Sequence, residues 1–361
     1  MTDRRRAVPL WRGLVLGAGA LAMLTGCTQG PATPPPTPVE SEEVQVAEPQ
    51  LTLHPGTTEL ERIVSAVLAR HLTHRGIPAV VADPSTQPWL NAGGERAAVV
   101  DTLQMGALLD PDQVTGPVPT PTAAASPEAS ASPSPEASPG GEEPPSPEPT
   151  ESATPDPVPD GEPAPDAGGV DALVRDQLPD ETEFIAQSSG TLRLQAVTTR
   201  NLAALKELEE LMDLNGQCTD LTLTPQSWGQ IQLERLSVLA GCTPETLLDT
   251  GDRDPASAVV AGEAGVALLY GVDPAISHHA LVPLEDPRRI LPEGRLSVVA
   301  DPQGLPDGAR NAISEVLQRL DGTQIVDLQA LIQGPDPLSA EEAAQYWLVQ
   351  NGLETAPESW F

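Results

Sequence analysis

The amino-acid sequence predicts an α/β protein large enough for two lobes. Three observations predict it. Short apolar runs with strand spacing alternate with longer segments whose apolar residues recur at helical spacing. The chain has 361 residues, enough to bury more than one small core. Segments of low complexity set the foldable stretches apart from the rest.

The elements follow in chain order. Leu51-Thr52-Leu53 is a strand, and Leu60, Ile63, Val64, Val67, Leu68 and Leu72 then recur on one helical face. Thr58 with Glu61 has the spacing of a capping box, and Gly76 followed by Pro78 supplies the stop. Ala79 to Ala82 reads as the next strand, completing a strand-helix-strand unit that favours a parallel pair. Further on, Leu192, Leu194 and Ala196 alternate with polar residues as in a strand. A helix from Leu202 to Met212, a strand at Leu221-Thr222-Leu223 and a helix from Ile231 to Leu239 follow. Strands are expected at Val266 to Tyr270, Ala280 to Leu284 and Ser297 to Ala300. Three helices then close the chain, at Ala309 to Leu320, Ile325 to Ile332 and Ala340 to Gln350, the last capped by Ser339 with Glu342.

Outside these elements the first residues carry a signal of their own. Arg4, Arg5, Arg6 and Arg12 precede an apolar run from Leu14 to Leu24, which leads into Leu24-Thr25-Gly26-Cys27. The run is short for a membrane span, and small residues precede the cysteine, so residues 1–27 read as a lipoprotein signal peptide with Cys27 as the acylated residue. An uncleaved anchor with an incidental cysteine is the alternative. Either way the body is expected outside the cytoplasm of a bacterium, held to the cell membrane; two or more acyl chains suffice for stable anchoring. Residues 28–50, rich in proline and acids, read as a disordered stalk.

Residues 115–169 are almost wholly Pro, Ala, Ser, Thr, Glu, Asp and Gly. Such a segment cannot bury enough apolar surface to offset the entropy of ordering, so a disordered insertion at a surface loop is expected. A linker between two independent domains is the alternative. The formal net charge of −33, with 19 basic residues against 52 acidic, excludes nucleic acid as a partner, because nothing here would overcome repulsion by phosphate.

With Cys27 taken by lipid, Cys218 and Cys242 remain, and in an oxidising compartment a mutual disulfide is favoured over free thiols. Two cysteines without companions at ligand spacing do not make a zinc site. The pairs His71/His74 and His278/His279 read as solvated histidines. No nucleophile elbow, metalloprotease helix or phosphate-binding glycine loop is present, so neither enzymatic activity nor a cofactor is expected.

Several stretches carry a family resemblance. Gly265-Val266-Ala267-Leu268-Leu269-Tyr270-Gly271-Val272-Asp273-Pro274-Ala275-Ile276, then Leu281-Val282-Pro283-Leu284-Glu285-Asp286 and Pro292, resemble the closing part of the glycine betaine and choline (osmoprotectant) substrate-binding proteins of ABC importers. Arg310-Asn311-Ala312-Ile313-Ser314 and Glu341-Glu342-Ala343-Ala344-Gln345-Tyr346-Trp347-Leu348 with Asn351-Gly352-Leu353 are similar to that family's terminal helices. The loop Pro55-Gly56-Thr57-Thr58-Glu59 resembles its opening.

The resemblance implies a two-lobed type II periplasmic-binding-protein fold with ligand in the cleft. Residues 51–114 would form the first part of lobe I and 170–195 the return to lobe I and crossover. Residues 196–275 would form lobe II, and 276–361 the C-terminal part of lobe I. It implies a quaternary ammonium solute, an ABC permease and an ATPase subunit as partners. A quaternary ammonium offers no hydrogen-bond donor, so the family holds it in aromatic cages by cation-π attraction. The candidate ligand residues are Thr57, Thr58, Asp101, Trp228, Tyr270 and Asp273, with Trp89 near the implied cleft. The chain departs from the pattern at Ala97 to Gly106, which offers Asp101 but no aromatic, and at Gly265 and Leu268, where an acid and an aromatic are common. That departure leaves a second expectation open, a binding-protein-like scaffold whose degenerate cleft serves envelope interaction or sensing.

Overall fold

The computed structural model describes residues 51–116, 161–225, 233–251, 253–334 and 336–360. Strand β1 (Leu51–Pro55) buries Leu51 and Leu53, and helix α1 (Glu59–His74) covers them with the apolar face expected from its spacing. Both sides of the capping box between Thr58 and Glu61 are formed, and Gly76 leaves the helix at a φ of 82°, a left-handed turn that costs glycine little. Strand β2 (Ala79–Val81) pairs parallel with β1, as the strand-helix-strand reading requires.

Strand β3 (Arg96–Asp101), helices α2 (Thr102–Leu109), α3 (Pro111–Thr115) and α4 (Ala167–Asp176), and strand β4 (Glu183–Gln187) follow. Lobe II contributes β5 (Leu192–Thr198), α5 (Arg200–Lys206), β6 (Thr222–Pro225), α6 (Leu233–Leu239), β7 (Thr246–Leu247), α7 (Pro255–Val260), β8 (Val266–Tyr270), α8 (Pro274–His278), β9 (Val282–Pro283) and β10 (Glu293–Gly294). The chain returns through β11 (Leu296–Ala300), α9 (Ala309–Leu317), α10 (Gly322–Gln333) and α11 (Ala340–Gln350).

Two sheets result. The first has the order β2-β1-β3-β11-β4, with β11 antiparallel to both neighbours, and its buried residues pack with α1, α9, α10 and α11 in one core that includes Trp347. The second runs β10-β5-β8-β6-β7, with β9 also on β5. Along β8 the pleat divides its residues: Val266 and Leu268 enter one core with Leu194 and Leu223, whereas Ala267 and Leu269 enter another with Val197 and Val259. Crossovers join the lobes between β4 and β5 and between β10 and β11. Ser188 braces the two: its main-chain N–H donates to the Leu296 carbonyl at 2.8 Å, and its hydroxyl accepts from the Leu296 N–H at 3.2 Å.

Four expectations change. Residues 276–294, expected in lobe I, belong to lobe II, because β9 and β10 hydrogen-bond to β5. The helix expected to run to Met212 ends at Lys206, where Glu207 turns left-handed at a φ of 55°; the Leu211 N–H then reaches the Glu285 carbonyl at 2.7 Å. Helix α4 begins inside the segment read as an insertion, with Asp166 as its N-cap and with Ala164 and Ala167 buried. Trp89, expected near the cleft, lies behind its wall: it is buried in the core of lobe I and lines a small cavity with Thr57, Asp101 and Gln104.

The chain re-entering lobe I lies along lobe II first. Arg235 of α6, fully buried, donates to the carbonyls of Ile290 (2.8 Å) and Glu162 (2.9 Å), and the Ala164 N–H donates to the Arg289 carbonyl at 2.7 Å. The expected disulfide between Cys218 and Cys242 is formed, inside the core that lies under α6. Cys27 and the signal and stalk segments lie outside the described residues, as does most of the low-complexity segment, and Trp228 does too.

Candidate functional site

A cavity of about 650 Å³ opens between the two lobes. That is within the size range of small-molecule sites. Its walls are the ends of parallel strands and the helix starts that follow them, where an open α/β sheet leaves a crevice. Lobe I contributes Thr57, Thr58 and Glu59 from the turn between β1 and α1, Asp101 and Gln104 from the turn between β3 and α2, and Gln329 from α10. Lobe II contributes Pro225 at the end of β6, Asp249 and Arg253 after β7, Tyr270 at the end of β8, and Asp273.

Five of the six ligand candidates read from the sequence, Thr57, Thr58, Asp101, Tyr270 and Asp273, therefore line one cavity; Trp228 is outside the described residues. Three of the five also serve as helix N-caps: the Thr58 hydroxyl accepts from the Glu61 N–H at 3.1 Å at the start of α1. Asp101 accepts from the N–H groups of Leu103 (2.9 Å) and Gln104 (3.4 Å), and Asp273 accepts from the Ala275 N–H at 2.8 Å. These acids thus combine a capping role with a place in the cavity wall.

The floor of the cavity crosses between lobes. The Tyr270 hydroxyl donates to Asp101 Oδ2, tying β8 to the start of α2. Behind them stands Glu61, which sequence reasoning placed only as a helix cap. Its Oε1 accepts from the Asp101 N–H at 2.9 Å, and its Oε2 accepts from the Thr58 N–H (3.0 Å) and hydroxyl (2.7 Å). Gly56 makes room for it, since a Cβ there would fall 2.2 Å from the carboxylate.

Burial raises the pKa of Asp101 to about 7, with the charge of Glu61 adding to the effect and the donated hydrogen bonds opposing it. Burial likewise raises Glu61, and it pushes the Tyr270 phenol well above its ordinary value, helped by the neighbouring Asp101. Asp273 is raised to about 6, chiefly by burial and further by Asp254. Arg253, a cation in the lining, is paired with Glu263 at 3.1 Å. The cavity therefore offers acids, amides and hydroxyls around one tyrosine, an environment for a positively charged or zwitterionic solute.

Residues 171–350 match the family model of the substrate binding domain of ABC-type glycine betaine transport system. The kinship read from the sequence is thereby borne out: over that span the chain carries this family's substrate-binding domain. Solved structures agree on the fold. A protein described as a glycine betaine/carnitine/choline ABC transporter superposes with a TM-score of 0.57 at 14% identity, covering 84% of this chain and 99% of the other. Apo YehZ from Escherichia coli superposes at 0.54 with 15% identity, covering 85% and 100%. No curated protein sequence matches the chain.

Proposed function

We propose that the protein is the extracytoplasmic, lipid-anchored solute-binding component of an ABC importer, delivering a small quaternary ammonium solute of the glycine betaine or choline type to a permease with its ATPase. The observation that carries the reading is the interlobe cavity, where Thr58 and Asp101 of lobe I face Tyr270 and Asp273 of lobe II. The family match supports the transport role, and the acidic lining supports a cation. In this reading Cys27 carries the lipid, residues 28–50 and the low-complexity segment are spacers, and no residue performs covalent chemistry. Tyr270 supplies an aromatic face, with Trp228 a second one from the segment after β6.

Calorimetry on the body lacking residues 1–27, titrated with glycine betaine, choline and carnitine, tests the reading. Binding should raise the melting temperature in proportion to occupancy. Tyr270→Ala should weaken it by about tenfold or more while the protein stays folded, since a desolvated aromatic face contributes on the order of 1 to 2 kcal/mol. Silence toward every solute at millimolar concentration would instead favour a scaffold with a degenerate cleft. One observation favours that second reading: Tyr270 is the only aromatic among the described lining residues.

A further inference from the structure

Glu61 does not line the main cavity, yet it holds both of lobe I's turns that do. One carboxylate oxygen takes two hydrogen bonds from Thr58, and the other takes the main-chain N–H of Asp101. A helix cap needs only the first of these. The second reaches forty residues along the chain to another strand end and places a negative charge directly behind a second buried carboxyl. Glu61 is 3% exposed, Asp101 2% and Tyr270 8%, so water screens little between them.

We propose that Glu61 is a positioning residue whose charge, added to the burial of Asp101, keeps that carboxyl protonated while the cleft is empty, so that a cation entering the cleft displaces the proton. The proposal rests on the cationic-solute reading above and specifies how the site regulates it. The step balances simply: the Asp101 carboxyl loses its proton to solvent, and the carboxylate that remains is neutralised by the positive group of the solute. Tyr270 keeps its own proton throughout and donates to Asp101 in either state.

The groups facing Asp101 bear this out. From α1 comes the Glu61 carboxylate, from β8 the Tyr270 hydroxyl, and from α2 only the N–H groups of Leu103 and Gln104. The same cavity is lined by Glu59 from the start of α1 and, across it, by Asp249, by Asp273 with Asp254 acting on it, and by Arg253, already paired with Glu263. No described cation is paired with Asp101, so two buried acids share one small volume, an arrangement in which one of them keeps a proton. The raised pKa of Asp101, about 7, agrees with it. The sign follows: the carboxyl is neutral below that value and anionic above it, so affinity for a cation rises as pH rises through neutrality.

The chain has only two tyrosines, Tyr270 and Tyr346, which makes Tyr270 a reporter. With tyrosine labelled at Cζ by ¹³C, and the Tyr346 signal assigned by Tyr346→Phe, the Tyr270 resonance of the full body should show a step near pH 7 in the absence of solute. Asp101→Asn should abolish the step. Glu61→Gln should lower its midpoint by about one pH unit or more, the effect of removing one adjacent like charge. Glu61→Asp, which keeps the charge but draws it back, should lower it less. Choline should shift the wild-type midpoint downward in a saturable way. A Tyr270 signal without a step between pH 5 and 9, or a folded Glu61→Gln protein with an unchanged midpoint, would overturn the proposal. If the solute-free steps behave as expected and choline, glycine betaine and carnitine all leave them unmoved, the transport reading fails while the Glu61 coupling stands.

Discussion

Lobe I and lobe II meet the same requirement, an α/β layer with a buried sheet, by different means. Lobe I is assembled from three separated stretches of chain, and its sheet shares one continuous core with α1, α9, α10 and α11. Lobe II is a single stretch between β5 and β10 whose helices are seven residues or shorter and whose core is divided between the two faces of its sheet. Short helices contribute little by themselves, because nucleation is costly and packing must stabilise them. Lobe II compensates with devices lobe I lacks among the described residues: a disulfide and a fully buried arginine bonded to main-chain carbonyls. The lesson is that the smaller lobe is held by a few specific links and the larger by distributed burial. Single substitutions should therefore act unevenly.

The largest effect is expected at Arg235. Arg235→Ala removes donors from the carbonyls of Ile290 and Glu162 and leaves a cavity under α6. Charge-assisted hydrogen bonds contribute about 1.5 to 3 kcal/mol each, and the void adds to the loss. Native-state hydrogen exchange read by mass spectrometry should show protection falling in β5, β8 and the segment 161–165, with β1 and β3 changed far less. Equal loss in both lobes would break the comparison.

Reduction of the disulfide comes next. The bond closes a loop of 24 residues, for which the chain-entropy argument gives on the order of 3 kcal/mol. Cys218→Ala with Cys242→Ala should lower the unfolding free energy of lobe II by that amount, and its denaturant midpoint with it, while lobe I keeps its own, so the unfolding transition broadens or divides. A sharp transition at an unchanged midpoint would show that packing, not the link, holds this core.

The same contrast governs what could be read from the sequence. Lobe I's long elements announce themselves: the 16 residues of α1 carry consistent cues in one apolar face, a capping box and a glycine stop, and β8 of lobe II is legible to the residue as a run of buried apolar side chains. Strand β3 was missed although it lies at the centre of its sheet, because Ala97, Ala98, Val99 and Val100 form a short run buried on both faces with no alternation to mark it. Strands β9 and β10 are two residues each, and their place in lobe II depends on pairing with β5 some ninety residues earlier, which no local pattern encodes. At the site, Thr57, Thr58, Asp101, Tyr270 and Asp273 were found through turns and family likeness. The role of Glu61 toward Asp101 was not, because its spacing to Thr58 already explained it locally.

The smallest expected effect sharpens the comparison most, because it applies one chemical change to both lobes. Thr199 caps α5 of lobe II, its hydroxyl accepting from the Leu202 N–H at 3.2 Å, and Asp321 caps α10 of lobe I, accepting from the Gln324 N–H at 2.9 Å. Replacing either cap by alanine leaves a helix-terminal donor without its partner and costs about 1 kcal/mol. The free-energy losses should be alike, yet a given loss moves the melting temperature further in a smaller cooperative unit, since the entropy of unfolding grows with size. Thr199→Ala should therefore lower the melting signal of lobe II by several degrees, whereas Asp321→Ala should lower that of lobe I by roughly half as much. Scanning calorimetry paired with exchange in each lobe measures both. Identical shifts in every signal would mean that the two lobes melt as one unit through the crossovers braced by Ser188, and that the contrast between them is one of construction and not of cooperativity.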